Sequence, residues 1–502
     1  MERQWWEDCV VYQIYPRSFQ DSNDDGVGDI QGIIHRLDYL QSLSIDAIWL
    51  SPIFQSPMAD FGYDISDYRS IDPVFGTLDD VDQLLLEAHK RDIKVLFDMV
   101  LNHTSIEHKW FQESRQSRDN EKADYYIWSD TIPNNWYAAF GGRAWTFDEK
   151  RGQYYMHSFL SDQPDLNWRN PATVEALYDE LRFWLDRGVD GFRLDVINCI
   201  VKDDSLRNNP KIIGSRPRPY DMQRHIFDRN RVEIHQKLKD LRRLIDSYPQ
   251  RMLIGEIMAE LPGEPELAAS YLGRDNEELH LSFDFSLIYA RFNAEKWKTT
   301  AKRWCEAVGK HRVPTWVLNN HDVPRLMSRV SNSEAKAKLA ALFMITQRGA
   351  LFLYYGEEVG LPNSKVPHFM MHDPVGKRYW LFHPGRDPQR GPMVWNTGEG
   401  YGFTNREPWL PFAKSANSYS VENQELELDS ILNQYRSLLA LRKDDEVLRR
   451  GDTTFLETTN NRVLAYRRDM LDEGRLVILN FSDTYLDVSI HNLKDTEVLQ
   501  LL

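Results

Sequence analysis

Residues 173–197 read TVEALYDELRFWLDRGVDGFRLDVI, an amphipathic stretch that runs straight into a short apolar one. In the first part Val174, Leu177, Leu181, Trp184 and Leu185 recur at i, i+3, i+4, the spacing of one buried helix face. After Gly188 the pattern changes to the near-continuous apolar run GFRLDVI (191–197), as in a strand covered on both faces. A helix leading into a buried strand is half of a parallel βαβ repeat. The same style recurs in VVYQIYP (10–16), AIWLSP (47–52), KVLFDMV (94–100), MLIGEI (252–257), LSFDF (281–285), TWVLNN (315–320) and ALFLYYG (350–356). A second amphipathic stretch, VDQLLLEAHKRDI, covers 81–93. Eight such runs predict an α/β fold whose sheet closes on itself, a (β/α)₈ TIM barrel.

The uneven spacing is informative. From Thr104 to Trp168 the chain is rich in Trp, Tyr, Asn and Gly and lacks the helix–strand rhythm. A segment of that size after the third strand predicts a small inserted subdomain over the barrel mouth, and long loops of this kind tend to be functional. After Val421 a helical stretch, LDSILNQYRSLLALRKDD (428–445), precedes four alternating runs: TTFLETT, RVLAYRRD, RLVILNFSD and LDVSIHN. These predict a C-terminal antiparallel β domain. The expected division is a catalytic barrel over 1–103 and 169–421, an inserted subdomain over 104–168, and a closing helix with the β domain over 422–502.

The chain has 502 residues, enough for two or three such units. Acidic residues outnumber basic ones 76 to 61, a net charge of −15, which disfavours nucleic acid or an anionic membrane as partner. Three separated thiols, Cys9, Cys199 and Cys305, form no CxxC and no disulfide framework. The opening MERQWWEDCVVYQIYP has no signal-peptide pattern, and no run approaches membrane-spanning length. The expectation is a cytoplasmic protein, a monomer or homodimer acting on a small molecule. An aromatic content of 12% suits core filling and also platforms for sugar rings.

In a barrel enzyme the reactive groups stand at the C-terminal ends of strands. There the sequence places Asp98 with Asn102-His103, Arg193 with Asp195, Glu256, and Asn320-His321-Asp322. Any one of these acids reads as a structural ion pair. Several buried carboxylates around one mouth are costly as structure alone and point to chemistry. Glycosidic cleavage needs one ionised carboxylate to attack and one protonated acid to serve the leaving oxygen. Arg193, two residues from Asp195 on one strand face, is expected to lower the pKa of Asp195 and keep it nucleophilic. Neighbouring carboxylates are expected to raise Glu256 toward a general acid. Asp322 suits hydroxyl binding and a cationic transition state, and His103 and His321 suit hydroxyl donation to the same sugar.

FDMVLNH (97–103), GFRLDVIN (191–198), LIGEI (253–257) and VLNNHD (317–322) resemble, in order and spacing, the four signature regions of the α-amylase family. QPDLNW (163–168) is similar to a fifth region, and WWEDCVVYQIYPRSFQDSNDDGVGDI (5–30) to a typical opening of the oligo-1,6-glucosidase and α-glucosidase branch. The resemblance runs from Trp5 to Trp409. It implies Asp195 as nucleophile, Glu256 as proton donor and Asp322 as transition-state stabiliser, with Asp98, His103, Arg193 and His321 around the same sugar. In ADFGYD (59–64), Asp60 and Tyr63 match the pair that closes the pocket on a terminal glucose. An arginine of GRDPQRGPMVW (385–395) is implied at that glucose, and spacing leaves Arg386 and Arg390 both open.

In DSNDDGVGD (21–29), Asp21, Asn23, Asp25 and Asp29 with the Val27 carbonyl offer oxygen ligands at alternate positions, as hard cations require. The spacing is not that of an EF-hand, and an unliganded polar turn is the alternative. The resemblance implies a structural Ca²⁺ or Mg²⁺ here and no catalytic cofactor. In the branch this chain resembles, Val directly after the nucleophile accompanies α-1,6 activity, so the resemblance at Val196 tilts the expected bond toward α-1,6, as in isomaltose. NCIVKDDSLRNNP (198–210) is also similar to broader α-glucosidases acting on maltose, sucrose or aryl glucosides. A transglucosidase would use the same residues. The arginine-rich clamp of sucrose isomerases is absent, and a non-catalytic scaffold is disfavoured by three intact acids.

Overall fold

The computed structural model describes residues 3–213, 218–260, 263–381 and 383–491. Eight parallel strands are Val10–Ile14 (β1), Ala47–Leu50 (β2), Lys94–Val100 (β3), Gly191–Asp195 (β4), Met252–Gly255 (β5), Leu281–Ser282 (β6), Thr315–Val317 (β7) and Ala350–Tyr354 (β8). They are hydrogen-bonded in the order β6-β5-β4-β3-β2-β1-β8-β7. The remaining seam, between β6 and β7, is bridged by Thr315, whose Oγ1 donates to the Ser282 carbonyl at 2.6 Å. Every run predicted as a barrel strand is one.

Both faces of these strands are buried, which is why they read as continuous apolar runs. Alternate side chains fill the barrel interior, among them Val11, Trp49, Leu96, Ile254, Val317 and Phe352. Their neighbours, including Ile48, Phe97, Leu194, Leu253 and Leu353, face the surrounding helices. The helix Pro171–Arg187 shows how the local sequence sets its ends. The Asn170 side chain accepts from the Ala172 amide, Pro171 occupies the first turn, and Gly188 closes the helix at φ 107°. Its Trp184 anchors the buried face, donating from Nε1 to the Tyr68 carbonyl at 2.8 Å.

Between β3 and β4 the chain forms a three-stranded antiparallel sheet of Trp128–Ser129, Gln153–Met156 and Trp145–Asp148, the middle strand being Gln153–Met156. Trp136, Ala144, Trp145 and Met156 pack as a small core of its own. Trp168 Nε1 donates to the Leu101 carbonyl at 2.7 Å, and a buried Lys202–Asp165 ion pair of 2.7 Å ties this segment to the loop after β4. The insertion therefore sits at the C-terminal end of the barrel, where strand ends expose their last side chains.

The helix Ile431–Asp444 packs on the helix Glu334–Ile345. Its Arg442 is buried and donates to the carbonyls of Ile345 at 2.8 Å and Gln347 at 2.6 Å. An antiparallel sheet follows, Asp452–Leu456, Val463–Met470 and Glu473–Asn480. The fourth expected strand, LDVSIHN, is not formed: its described part makes one isolated bridge, Thr458 to Ile490, and Asn492 lies outside the described residues. None of its apolar residues is buried, so no core face fixes a register. Among the described residues no helix is long and apolar enough to cross a membrane.

Candidate active site

Pairing of β3 with β4 sets Asp98 opposite Arg193 and Val100 opposite Asp195, so the interior row that begins at Leu96 ends in charge. Arg193 is 2% exposed, and its guanidinium joins three acids. Nη1 donates to Asp98 Oδ1 at 2.6 Å and to Asp195 Oδ1 at 2.8 Å, and Nη2 donates to Glu256 Oε2 at 2.5 Å. The guanidinium also lies 5.1 Å from the Trp49 ring centroid and 5.9 Å from that of Tyr63. A planar, permanently charged fork suits this task where a lysine would not.

Two backbone features bring Asp195 and Glu256 together. Val196 adopts φ 36°, ψ 43°, a left-handed conformation that a β-branched residue rarely occupies. The turn it makes puts its amide 3.4 Å from Glu256 Oε2, while Ile197 N donates to the Glu256 carbonyl at 3.1 Å. Gly255 leaves the space that this approach needs, since a Cβ there would lie 2.4 Å from Leu279 Cδ1 and 2.9 Å from Ile197 Cγ2.

These groups open onto a cleft of about 610 Å³ lined by Asp60, Tyr63, His103, Asp195, Val196, Glu256, His321, Asp322 and Arg386, with Phe140, Phe159 and Met258 on its walls. Tyr63 and His321 stack with ring centroids 5.5 Å apart and planes 4° apart. Burial pushes His321 down to about 3, so its ring is neutral. With the Gln13 amide donating to Nδ1 at 2.8 Å, His321 Nε2 carries the hydrogen and donates to Tyr63 Oη at 2.7 Å. Tyr63 in turn donates to Asp98 Oδ2 at 3.0 Å. His103 is also neutral, pushed down to about 4 by burial, and its Nε2 lies 3.1 Å from the Tyr63 carbonyl.

Arg386 also lines the cleft. Its Nη2 donates to Asp60 Oδ1 at 2.5 Å, its Nη1 to Asp322 Oδ1 at 3.4 Å, and its Nε to the buried Asp373 at 2.7 Å. Arg390 lies behind, 1% exposed, donating from Nη2 to Asp322 Oδ1 at 3.0 Å and from Nε to the His321 carbonyl. Of the two arginines, Arg386 lines the cleft and Arg390 braces the residues that do.

The acids divide electrostatically. Burial raises Asp322, but the lowering by His321, Arg386, Arg390 and Arg193 prevails and holds it well below the carboxylate range. At neutral pH, where His321 is uncharged, the arginines carry that lowering. Asp98 goes the other way, raised by burial to about 6 against the pull of Arg193. Asp195 and Glu256 are raised as well, chiefly by burial and further by neighbouring carboxylates. The expectation that Arg193 keeps Asp195 low is therefore corrected: one guanidinium shared by three buried acids does not offset their desolvation and mutual repulsion. Asp195 and Glu256 interact, so their titrations belong to the pair and not to either residue alone.

The loop 21–29 lies elsewhere. Asp21 accepts from the amides of Asn23, Asp24 and Gly26 and from Thr404 Oγ1. Asp29 caps the helix Ile30–His35 through Gly32 N at 2.7 Å and accepts from Ser22. Asn23 and Asp25 each accept one amide hydrogen, from Asp25 and Val27 respectively. Among the described residues no three His, Cys, Asp or Glu side chains gather as a metal cluster.

Several residues in or behind the cleft wall were not singled out from sequence. Gln163, in QPDLNW, donates to the Tyr63 carbonyl at 3.3 Å and meets His103 at 3.1 Å. Met258 could have been found by its position two residues after Glu256. Phe140 and Phe159 come from the insertion, where no periodicity marks them.

The sequence profile of the alpha amylase catalytic domain matches residues 13–451. A probable alpha-glucosidase of Rhizobium meliloti is 42% identical, over 96% of this chain and 90% of its own. An oligo-1,6-glucosidase of Parageobacillus thermoglucosidasius is 38% identical over 96% and 91%. The crystal structure of an alpha-glucosyl transfer enzyme superposes with TM-score 0.92 at 45% identity, covering 96% of this chain and 92% of that one.

The raised acids carry a stability consequence. Between the ordinary carboxylate range and its folded pKa, Asp195 holds a proton in the folded state that the unfolded chain has lost, so stability falls as pH rises through that window. Asp195→Asn is expected to raise the melting midpoint at pH 7 by a few degrees, and the gain to vanish near pH ~4. A midpoint lowered at pH 7 would contradict this placement of charge.

Proposed function

Because the chain belongs to the alpha-amylase family of glycoside hydrolases, we propose that it is a retaining, exo-acting α-glucosidase that releases α-glucose from the non-reducing ends of short α-glucosides. The carrying observation is the fork of Arg193, which holds Asp195 and Glu256 side by side at a cleft that the Asp60–Arg386 pair also lines, and we take that pair as a blocked end. A blocked end admits one terminal sugar and suits exo action.

In the proposed reaction Glu256 carries a proton and Asp195 is ionised. Glu256 gives that proton to the glycosidic oxygen as Asp195 attacks the anomeric carbon, so the leaving group departs as an alcohol and a glucosyl-Asp195 ester forms. Glu256, now ionised, takes a proton from a water that attacks the same carbon and frees Asp195, and two inversions give net retention. Asp322, kept anionic by its arginines, stabilises the oxocarbenium-like transition state. Tyr63 stacks on the sugar ring, His103 and His321 meet its hydroxyls, and Asp60 with Arg386 binds the hydroxyl farthest from the reaction.

Linkage is read from Val196, which lines the cleft with Phe140, Phe159 and Met258. The oligo-1,6-glucosidase name of a relative supports α-1,6 bonds, although one side chain contributes only about 1–3 kcal/mol of discrimination. A second reading, transfer of glucose to an alcohol in place of water, is favoured by these apolar walls and by the transfer enzyme among the relatives. NMR of products from isomaltose, maltose, sucrose, trehalose and p-nitrophenyl α-glucoside separates the readings. Free α-glucose, mainly from isomaltose, is the expected result. New glucosides would establish transfer, and β-glucose would refute retention.

We also propose a structural Ca²⁺ or Mg²⁺ at the loop 21–29. Supporting it are oxygens at alternate positions and the acceptor capacity left at Asn23, Asp25 and the Val27 carbonyl. Asp21 and Asp29 are already engaged by protein donors, so the loop keeps its turns by itself and the ion would add a modest increment. Millimolar Ca²⁺ is expected to raise the melting midpoint of chelator-treated protein by about 2–5 °C. An unchanged midpoint would leave a polar turn.

A further inference from the structure

Arg386 lines the cleft, but its side chain is gripped from outside it. Asp373, on the loop after β8, is fully buried and does not line the cleft. Its Oδ1 accepts from Arg386 Nε at 2.7 Å, and its Oδ2 accepts from the Arg386 backbone amide at 3.1 Å. One carboxylate thus holds both the main chain and the guanidinium of the same residue, leaving Nη1 and Nη2 to reach Asp322 and Asp60. Burial raises Asp373, but Arg386 and Arg390 outweigh it and keep the carboxylate ionised.

The surrounding chain makes this grip possible. Asp373 Oδ2 also accepts from Gly376 N at 2.9 Å and so caps the helix Pro374–Tyr379. Asp387 Oδ2 in return accepts from the amides of His372 at 2.6 Å and Asp373 at 2.9 Å. Reciprocal carboxylate–amide bonds therefore bind the segments 372–376 and 385–387 to each other. Their approach requires glycine: Gly385 adopts φ 73°, and a Cβ on it would lie 2.6 Å from both Asp373 Oδ2 and Gly376 Cα. The Phe140 ring centroid lies 4.7 Å from the guanidinium carbon and adds a cation–π contact. Of the three acids around Arg386, Asp60 and Asp322 line the cleft and can exchange a bond for a sugar hydroxyl. Asp373 is out of a sugar's reach, so its hold on Arg386 persists whether the cleft is empty or filled.

We propose that Asp373 is a positioning residue for the terminal sugar: by holding Arg386 at Nε and at the backbone, it presents Nη1 and Nη2 to the hydroxyl on C4, the ring carbon opposite the anomeric one. This rests on the glucosidase reading and adds to it what keeps the hydroxyl-binding arginine in place. Asp373 touches neither the sugar nor the reacting atoms, so it acts only through Arg386.

The test uses Asp373→Asn, whose amide offers an acceptor oxygen to the helix cap or to Nε but not to both. Values of kcat/KM are measured on p-nitrophenyl α-glucoside and on its 4-deoxy analogue, with Arg386→Lys and the double variant in parallel. The expected result is a loss of about 10- to 100-fold on the parent glucoside and less than about threefold on the analogue, which has no hydroxyl there to lose. The double variant is expected to stay within about threefold of Arg386→Lys alone, because both changes remove the same contact. Equal loss on both substrates, or losses that multiply in the double variant, would mean that Asp373 serves only the folding of its loop. No loss would mean that Arg386 needs no such hold. Each of these overturns the proposal. A crystal structure of Asp373→Asn is expected to show the guanidinium turned away from Asp60, and an unmoved guanidinium would also overturn it. Should Asp373→Asn melt early, Asp373→Ser, which keeps a cap and loses the hold on Nε, takes its place. A wild type inactive on both glucosides would defeat the glucosidase reading itself, while the crystal structure would still decide whether Asp373 holds Arg386.

Discussion

The guanidinium of Arg193, enclosed in the barrel and surrounded by Asp98, Asp195 and Glu256, is the interaction on which the site depends. Three buried carboxylates would repel one another and draw in water without it, and a buried cation would be untenable without them. Asp98, Arg193 and Asp195 are anchored on two adjacent strands whose register is fixed by their ladder, a stiffer support than loops provide, and Glu256 directly follows a third. Its cost is visible in the raised pKa values of all three acids.

Around this centre the fold separates opposite electrostatic tasks within one cleft. On one side, acids outnumber the positive charge and their pKa values are raised. On the other, Arg386 and Arg390 bracket Asp322 and keep it ionised. The neutral His321 stands between, linked through Tyr63 to Asp98, so the two sides are joined by a hydrogen-bond chain without adding net charge. Carboxylates with different neighbours take up different roles, a division that burial alone could not produce.

Much of this was legible because the barrel strands are buried on both faces and end in polar residues. Asp98, Arg193 and Asp195 stand on strands where the β period faces them to one mouth, Glu256 directly follows a strand, and His321 and Asp322 come from the loop after β7. The choice between Arg386 and Arg390 was not legible: both lie in a short turn, and only the fold shows one facing the cleft and the other behind it. Nor was the state of Asp195, since pairwise reasoning from Arg193 omitted the burial and the other acids around it. Phe140 and Phe159 arrive from the insertion, where long-range packing and not periodicity sets position. LDVSIHN alternates as a strand should but has no buried face to hold it.

The claim that Asp195 becomes covalently glucosylated is tested most directly by trapping. A fluorinated glucosyl fluoride that loads the enzyme quickly and turns over slowly would be incubated with the protein, followed by intact-mass measurement and peptide mapping. The expected result is a mass gain of one fluoroglucosyl unit on the peptide containing Asp195, absent in Asp195→Asn. No adduct despite inactivation by the reagent, or an adduct on another residue, would contradict this assignment and the retaining mechanism built on it.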